Sequence, residues 1–354
     1  MNKIKELLTP TFMFTMTAIL LAGCGNSLSA PTSPVSESTA AVTATTSGED
    51  EQGEVTLQYS TTSTPGTVYV EAFNRMADEV KEKTGGKVTI VVFDSSQLGN
   101  ESDVDTNVMD GSIDMCNTGS GELGKRYPSF NVFQTPYLFN SYEHFKKFIG
   151  SPEEENLFTA AKDSMNVIIC GTQTMGARYV ITTGAKAVTP EMFKGVKVRC
   201  PDMPSIISIV NGLGATAAPM AATEQYLAMQ QGVVDGAEHT LSGFTAWNIQ
   251  ELCKELMVTG HAREVTFTMI SQDCMNKLTT ANQEILLAAI DSAAAWANEQ
   301  TNSNEAVLMK QFQDEYGIEL VEVDQDAFKA AVEPVAEELS ADDPVLYEAI
   351  QKLD

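Results

Sequence analysis

From position 55 onward, apolar and polar residues are arranged in short runs that switch between a period of two and a period near 3.6. Val55–Tyr59 (VTLQY) alternates as a half-buried strand does, and the turn Thr64-Pro65-Gly66 follows it. Tyr69, Phe73, Met76, Ala77 and Val80 then recur at helical spacing until Thr84-Gly85-Gly86 ends the run. Lys87–Phe93 (KVTIVVF) predicts a second strand, Val104, Val108 and Met109 a second helix, and Ile113–Cys116 a third strand. The same rhythm returns at Asn166–Cys170, Val196–Cys200, Pro204–Leu213 and Glu224–Gln231. Strand–helix–strand alternation implies an α/β fold with a parallel sheet covered by helices. Residues 281–316 contain neither glycine nor proline and predict one helix of about 50 Å at 1.5 Å per residue. A helix that long exceeds one small domain and suits a brace between two. At 354 residues the length itself fits about two domains.

The first 54 residues follow another pattern. Lys3 and Lys5 precede the apolar stretch Phe12–Leu21, which runs into Leu21-Ala22-Gly23-Cys24. A charged start, a short apolar core and small residues before a cysteine form an export signal, and the core is too short to span a bilayer. The L-A-G-C sequence resembles a bacterial lipobox, which implies cleavage before Cys24 and lipid on that residue. Residues 25–54 are Ser, Thr, Ala and Pro with almost no large apolar side chain, so they are expected to form a flexible tether. A tether of about 30 residues has an r.m.s. span of ~30 Å, which keeps a folded body near the outer face of the membrane while letting it turn.

The formal net charge of −26 excludes a nucleic-acid backbone as partner and excludes electrostatic attachment to anionic lipid. It does not exclude binding of a small anion, which responds to the local field in a cleft. Only five arginines occur, at 75, 126, 178, 199 and 263, so each buried one matters. If Cys24 carries lipid, the remaining cysteines (116, 170, 200, 253 and 274) are odd in number and cannot form a fully paired framework. The three histidines (144, 239 and 261) lack metal-ligand spacing, and no glycine-rich cofactor loop or nucleophile elbow is present. No cofactor and no metal are expected, and an enzyme is the weaker reading.

The segment beginning at Val196 reads VKVRCP, then GLGATAAPM, then TEQYLAMQQGVVDGAEH. With EKTGGKVTIVVFDSSQLGN, the DGSIDM segment and TPYLF upstream, it resembles the solute-binding proteins of tripartite ATP-independent periplasmic (TRAP) transporters over roughly residues 55–330. The resemblance implies a two-lobed fold of periplasmic-binding-protein type II, with a hinge and a long bracing helix. Its lobes are expected over 55–175 plus 264–304 and over 176–263 plus 305–354. They would close on a carboxylate-bearing solute, a sugar acid or C4-dicarboxylate, in a monomer that serves a small and a large membrane subunit. The ligand-clamping arginine falls on Arg199 and a second arginine on Arg178, with Glu238 and His261 beside the latter. Asp202 follows in the ligand-facing stretch. His239 stands where the family often has asparagine, and Ala221-Ala222 where some members place an aromatic residue, so a roomier pocket is expected at Ala222. In the first lobe, ligand-facing positions fall near Thr62, Glu101, Thr118 and Glu122. Carboxylates beside an anion site are unfavourable unless they accept from solute hydroxyls or amines, which points to a sugar acid. A binding lipoprotein of an ABC importer or a sensor would share lobes and anchor. The ordered R-C-P, G-A, P-M and D-G-A-E set favours the TRAP reading. Arg199 also stands on its own chemistry: it ends a short apolar strand, where open α/β sheets bind ligands, and a guanidinium holds a carboxylate with two parallel hydrogen bonds.

Overall fold

The computed structural model describes residues 52–353, so Cys24, the export signal and most of the tether lie outside the described residues. The strands are β1 (Val55–Ser60), β2 (Val88–Phe93), β3 (Met115–Gly119), β4 (Val167–Thr182), β5 (Lys197–Cys200), β6 (Thr216–Pro219), β7 (Gly236–Thr240), β8 (Glu255–Ser271) and β9 (Glu319–Val321). The helices are α1 (Val68–Lys83), α2 (Glu101–Met109), α3 (Ser120–Gly124), α4 (Tyr142–Phe148), α5 (Pro152–Met165) and α6 (Pro204–Gly212). They continue with α7 (Ala222–Gln230), α8 (Leu241–Ala246), α9 (Gln272–Asn276), α10 (Thr280–Tyr316), α11 (Gln325–Ser340) and α12 (Pro344–Gln351).

All nine strands join in one sheet of order β2-β1-β3-β8-β4-β7-β5-β6, with β9 on β8. The sheet is mixed, which corrects the expectation of a parallel one. β1, β2 and β3 are parallel at one end and β5, β6 and β7 at the other, but β4 and β8 run antiparallel to each other and to β7 and β3. The 16 residues of β4 and the 17 of β8 each reach about 50 Å at ~3.3 Å per residue. The 37-residue α10 is about as long, roughly 55 Å. Three elements of matched length therefore tie the two halves together. Gly171 (φ +59°) and Gly176 (φ +96°) interrupt β4, and the β4–β8 register shifts beside them. These glycines permit the positive φ that bulges at the crossing need.

Each half covers both faces of its part of the sheet. In the first, Phe130, Phe133, Phe145, Phe148 and Phe267 pack on one face, while Leu57, Phe73, Leu286 and Ile290 pack on the other. In the second, Phe244, Ile249 and Phe312 fill one side and Phe193, Ile209 and Phe328 the other. α10 contributes Leu286 to the first half and Phe312 to the second, so it braces both. Thr279 caps its start by accepting from the Asn282 N–H, and Gly317 (φ +68°) ends it.

The segmentation assigned 305–354 to the second lobe, and α12 departs from that. Its Leu346 and Ile350 pack in the first half's core with Phe145 and Phe148, and the Gln351 amide donates to the Leu138 carbonyl at 2.7 Å.

Candidate functional site

β7, β5 and β6 run parallel with Ala237, Arg199 and Ala218 in register, so their carboxyl ends open at one edge of the sheet. Arg199 stands at that edge and is 2% exposed. Its Nε and Nη2 both donate to the Met220 carbonyl, at 3.2 and 2.8 Å. That leaves Nη1 and the second Nη2 hydrogen, an end-on fork suited to a carboxylate. Among the described residues Arg199 forms no ion pair. Burial pushes its pKa below the ordinary arginine value, a trend that Glu238 opposes and Arg178 reinforces.

Arg178, on β4, is arranged differently. Its Nε and Nη2 donate to the two oxygens of Glu238, the latter at 2.8 Å, and its Nη1 donates to Glu264. Glu238 is fully buried, and His261 Nε2 lies 3.3 Å from it while His261 Nδ1 meets the Thr259 hydroxyl at 2.9 Å. Burial alone raises the Glu238 pKa, yet the guanidinium of Arg178 and the contact with His261 hold it well below the usual carboxylate range. Arg178 is thus neutralised within the protein, whereas Arg199 has no salt-bridge partner among the described residues.

Two cavities meet beside these arginines. The larger, about 480 Å³, is lined by Arg199, Asp202, Ala222 and His239. The smaller, about 120 Å³, is lined by Thr62, Glu101 and Glu122 together with Asn117, Gln134 and Arg263. Arg178, Met203 and Glu264 line both and form a waist between them. The Thr240 N–H donates to His239 Nδ1 at 2.8 Å, which leaves the ring proton on Nε2. Burial, reinforced by the two arginines and opposed by Glu238, pushes the His239 pKa down to about 3, so the ring stays neutral at physiological pH. Glu101 accepts from the Gly119 N–H at 2.5 Å, but burial and the neighbouring Asp105, Glu122 and Glu264 push its pKa up to about 7.

Thr118 does not reach either cavity, contrary to expectation. It is fully buried and its hydroxyl donates to Asp105 at 2.7 Å, because alternate residues of β3 face opposite sides and Thr118 faces α2. Glu122 lines the smaller cavity, yet it also pairs with Lys125 and lies 3.5 Å from Arg126. Met203 and Glu264 were missed. Glu264 is one of 48 acidic residues in the sequence, and only the antiparallel pairing of β8 with β4 sets it against Arg178.

A cleft between two halves of one sheet, holding a buried cation with open donors, defines a two-lobed solute-binding protein. The chain belongs to the bacterial extracellular solute-binding protein family 7, whose family model matches residues 59–343. It is 28% identical over 302 residues to protein YiiZ of Salmonella typhimurium, covering 84% of this chain and 90% of that protein. It is 25% identical over 262 residues to the 2,3-diketo-L-gulonate-binding periplasmic protein YiaO of Escherichia coli, covering 74% of this chain and 79% of the other. Among solved structures, a TRAP periplasmic solute-binding protein from Sulfitobacter with bound β-D-galacturonate superimposes with a TM-score of 0.76 at 26% identity, over 84% of this chain and 98% of that one. The protein is accordingly an extracytoplasmic solute-binding component of a TRAP transporter, and the family is one of binding proteins, not enzymes. Among the described residues, no helix is long and apolar enough to cross a membrane.

Proposed function

We propose that this chain captures a sugar acid by its carboxylate on Arg199 and presents it to the membrane subunits of its transporter. The observation that carries the reading is the buried Arg199 fork, without an ion-pair partner among the described residues, beside a neutral His239 whose Nε2 carries the ring proton. Hydrogen bonds to charged groups contribute about 1.5–3 kcal/mol each, so two of them supply much of the ~8 kcal/mol of a micromolar complex. In the smaller cavity Glu101 offers an acceptor for hydroxyl groups, as does Glu264 where the two cavities meet, and hydroxyls are what a sugar acid has and a plain dicarboxylate lacks. The galacturonate bound by the Sulfitobacter protein supports the same class. Closure of the two lobes around the solute would exclude water and strengthen these bonds. Cys24, lipidated, would hold the protein as a monomer on the outer face of the membrane.

Calorimetric titration with D-galacturonate, D-glucuronate, succinate and pyruvate tests the reading. Uronates are expected to bind with stoichiometry near one and without conversion. Arg199→Lys keeps the charge but loses the fork, and is expected to weaken binding at least about tenfold. Unchanged affinity in that variant, or preference for succinate, refutes the assignment.

A further inference from the structure

Gly243 has no backbone reason to be a glycine. It lies inside α8, its φ is not left-handed, and a glycine within a helix is less stable there than an alanine. A side chain requires it instead: a Cβ at 243 would stand 2.1 Å from His239 Nδ1, 2.2 Å from Cε1 and 2.5 Å from Cγ. The imidazole of His239 thus occupies the space that any other residue at 243 would fill. Two further contacts hold the ring. The Thr240 N–H donates to Nδ1 at 2.8 Å, and the buried Phe244 ring meets the imidazole edge to face, 6.1 Å between centroids. Thr240 is itself fixed as the N-cap of α8, its hydroxyl accepting from the Gly243 N–H at 3.2 Å. Turning the ring over would set a C–H against the Thr240 N–H and leave that donor, on a residue 2% exposed, without a partner. The proton-bearing Nε2 has no partner among the described residues, and His239 lines the chamber of about 480 Å³ that Arg199 also lines.

We infer that Gly243 is a positioning residue that seats His239 so that its Nε2–H serves the arginine chamber, and that the carboxylate end of the solute therefore meets donors only. This rests on the reading above that the solute's carboxylate binds Arg199. A guanidinium has no acceptor, and neither has the imidazole in this tautomer once Nδ1 is taken by Thr240. An asparagine at 239 could turn either its oxygen or its NH₂ group to the solute; the seated ring cannot. The arrangement selects a hydroxy acid, whose α-oxygen accepts, over an amino acid, whose α-ammonium only donates and adds positive charge beside Arg199.

Nitrogen NMR of histidine-labelled protein without solute, and calorimetric competition against D-galacturonate, test this. The His239 signal, assigned by its absence in His239→Asn, is expected to show the proton on Nε2; a proton on Nδ1 overturns the seat. D-Gluconate and D-glucosaminate, which differ only in a hydroxyl or an ammonium next to the carboxylate, are the competitors. The native protein is expected to favour D-gluconate, and His239→Asn to lower that preference at least about tenfold. An unchanged preference in His239→Asn overturns the selection. Gly243→Ala is expected to weaken D-galacturonate binding at least about tenfold and to shift the His239 signal, yet to cost nothing in a His239→Ala background, where no ring is displaced. Equal costs in the two backgrounds overturn the positioning role. If the native protein binds no sugar acid at all, the reading above fails and the selection falls with it, whereas the proton on Nε2 still shows the ring seated.

Discussion

Replacing Glu238 with glutamine keeps the shape of the side chain and removes the charge that Arg178 is built around. In the native protein the carboxylate receives two N–H donors from Arg178 and a contact from His261, with no exposure to solvent. A glutamine turns one acceptor oxygen into an NH₂ group facing a guanidinium that can only donate. Arg178 would keep Glu264, which engages Nη1 alone and whose side chain is 28% exposed. Removing one partner of a buried pair costs about 3–5 kcal/mol, and the surviving Glu264 places the loss near the lower end, about 3 kcal/mol. At ~2.1 cal/mol/K of unfolding entropy per residue, about 300 folded residues shift by roughly 1.6 °C per kcal/mol, so the melting temperature falls by about 5 °C. Glu264→Gln, by contrast, removes a partly solvated partner and is expected to cost less than about 1 kcal/mol. Thermal and urea unfolding of both variants at neutral pH decide the matter. A melting temperature for Glu238→Gln within ~2 °C of native, or equal losses in the two variants, refutes the argument that the buried pair is the anchor. The acid limb gives a second readout. The folded pKa of Glu238 lies below its unfolded value near ~4.3, so its contribution is present above that pH and is lost as the pH falls through the depressed folded value. Glu238→Gln should therefore flatten the loss of stability below about pH 4.

Glu101 has the opposite sign: its folded pKa is raised to about 7, so stability declines as the pH rises from its unfolded value toward 7, and a negative charge appears beside the solute as the pH passes about 7. Binding of an anionic solute is expected to weaken as the pH passes 7, with a flatter profile in Glu101→Gln by calorimetry, although Asp105, with a pKa near 6, retains part of the slope. Asn298 on α10 donates to the Thr172 carbonyl at 3.0 Å and accepts from the Thr174 N–H at 2.8 Å, tying the brace to β4 where the register shifts. Asn298→Ala leaves two buried backbone groups unpaired and is expected to cost about 2–4 kcal/mol in urea unfolding. Cys24→Ala is expected to move the protein from the membrane fraction to the soluble fraction, with solute affinity unchanged.

Much of the site could be read from the sequence because its chemistry is concentrated in short local motifs. Arg199, Asp202, Ala222 and His239 lie in or just after strands β5 and β7 or at the start of α7, whose patterns are compact, and all four line one cavity. Thr118 was misassigned because the two faces of β3 differ by a single residue step, and nothing local says which face meets the cleft. The long strands were also hidden: the sequence pattern predicts only a short element at 166–170, whereas in the fold β4 runs on through bulges at Gly171 and Gly176 to Thr182.

The amino-acid sequence alone determined the α/β class and the length of α10, and it singled out Arg199 as the candidate clamp, because periodicity and motif spacing are properties of neighbouring residues. Tertiary structure decided what depends on residues far apart in the chain. It added Glu264, 86 positions away, as a second acidic partner of Arg178 beside the expected Glu238, while Arg178 still lines both cavities. It brought α12 back to the first half's core and set Met203 over Gly121. Which charge is cancelled and which stays open follows from burial and proximity across the sheet, and these exist only once the strands have paired.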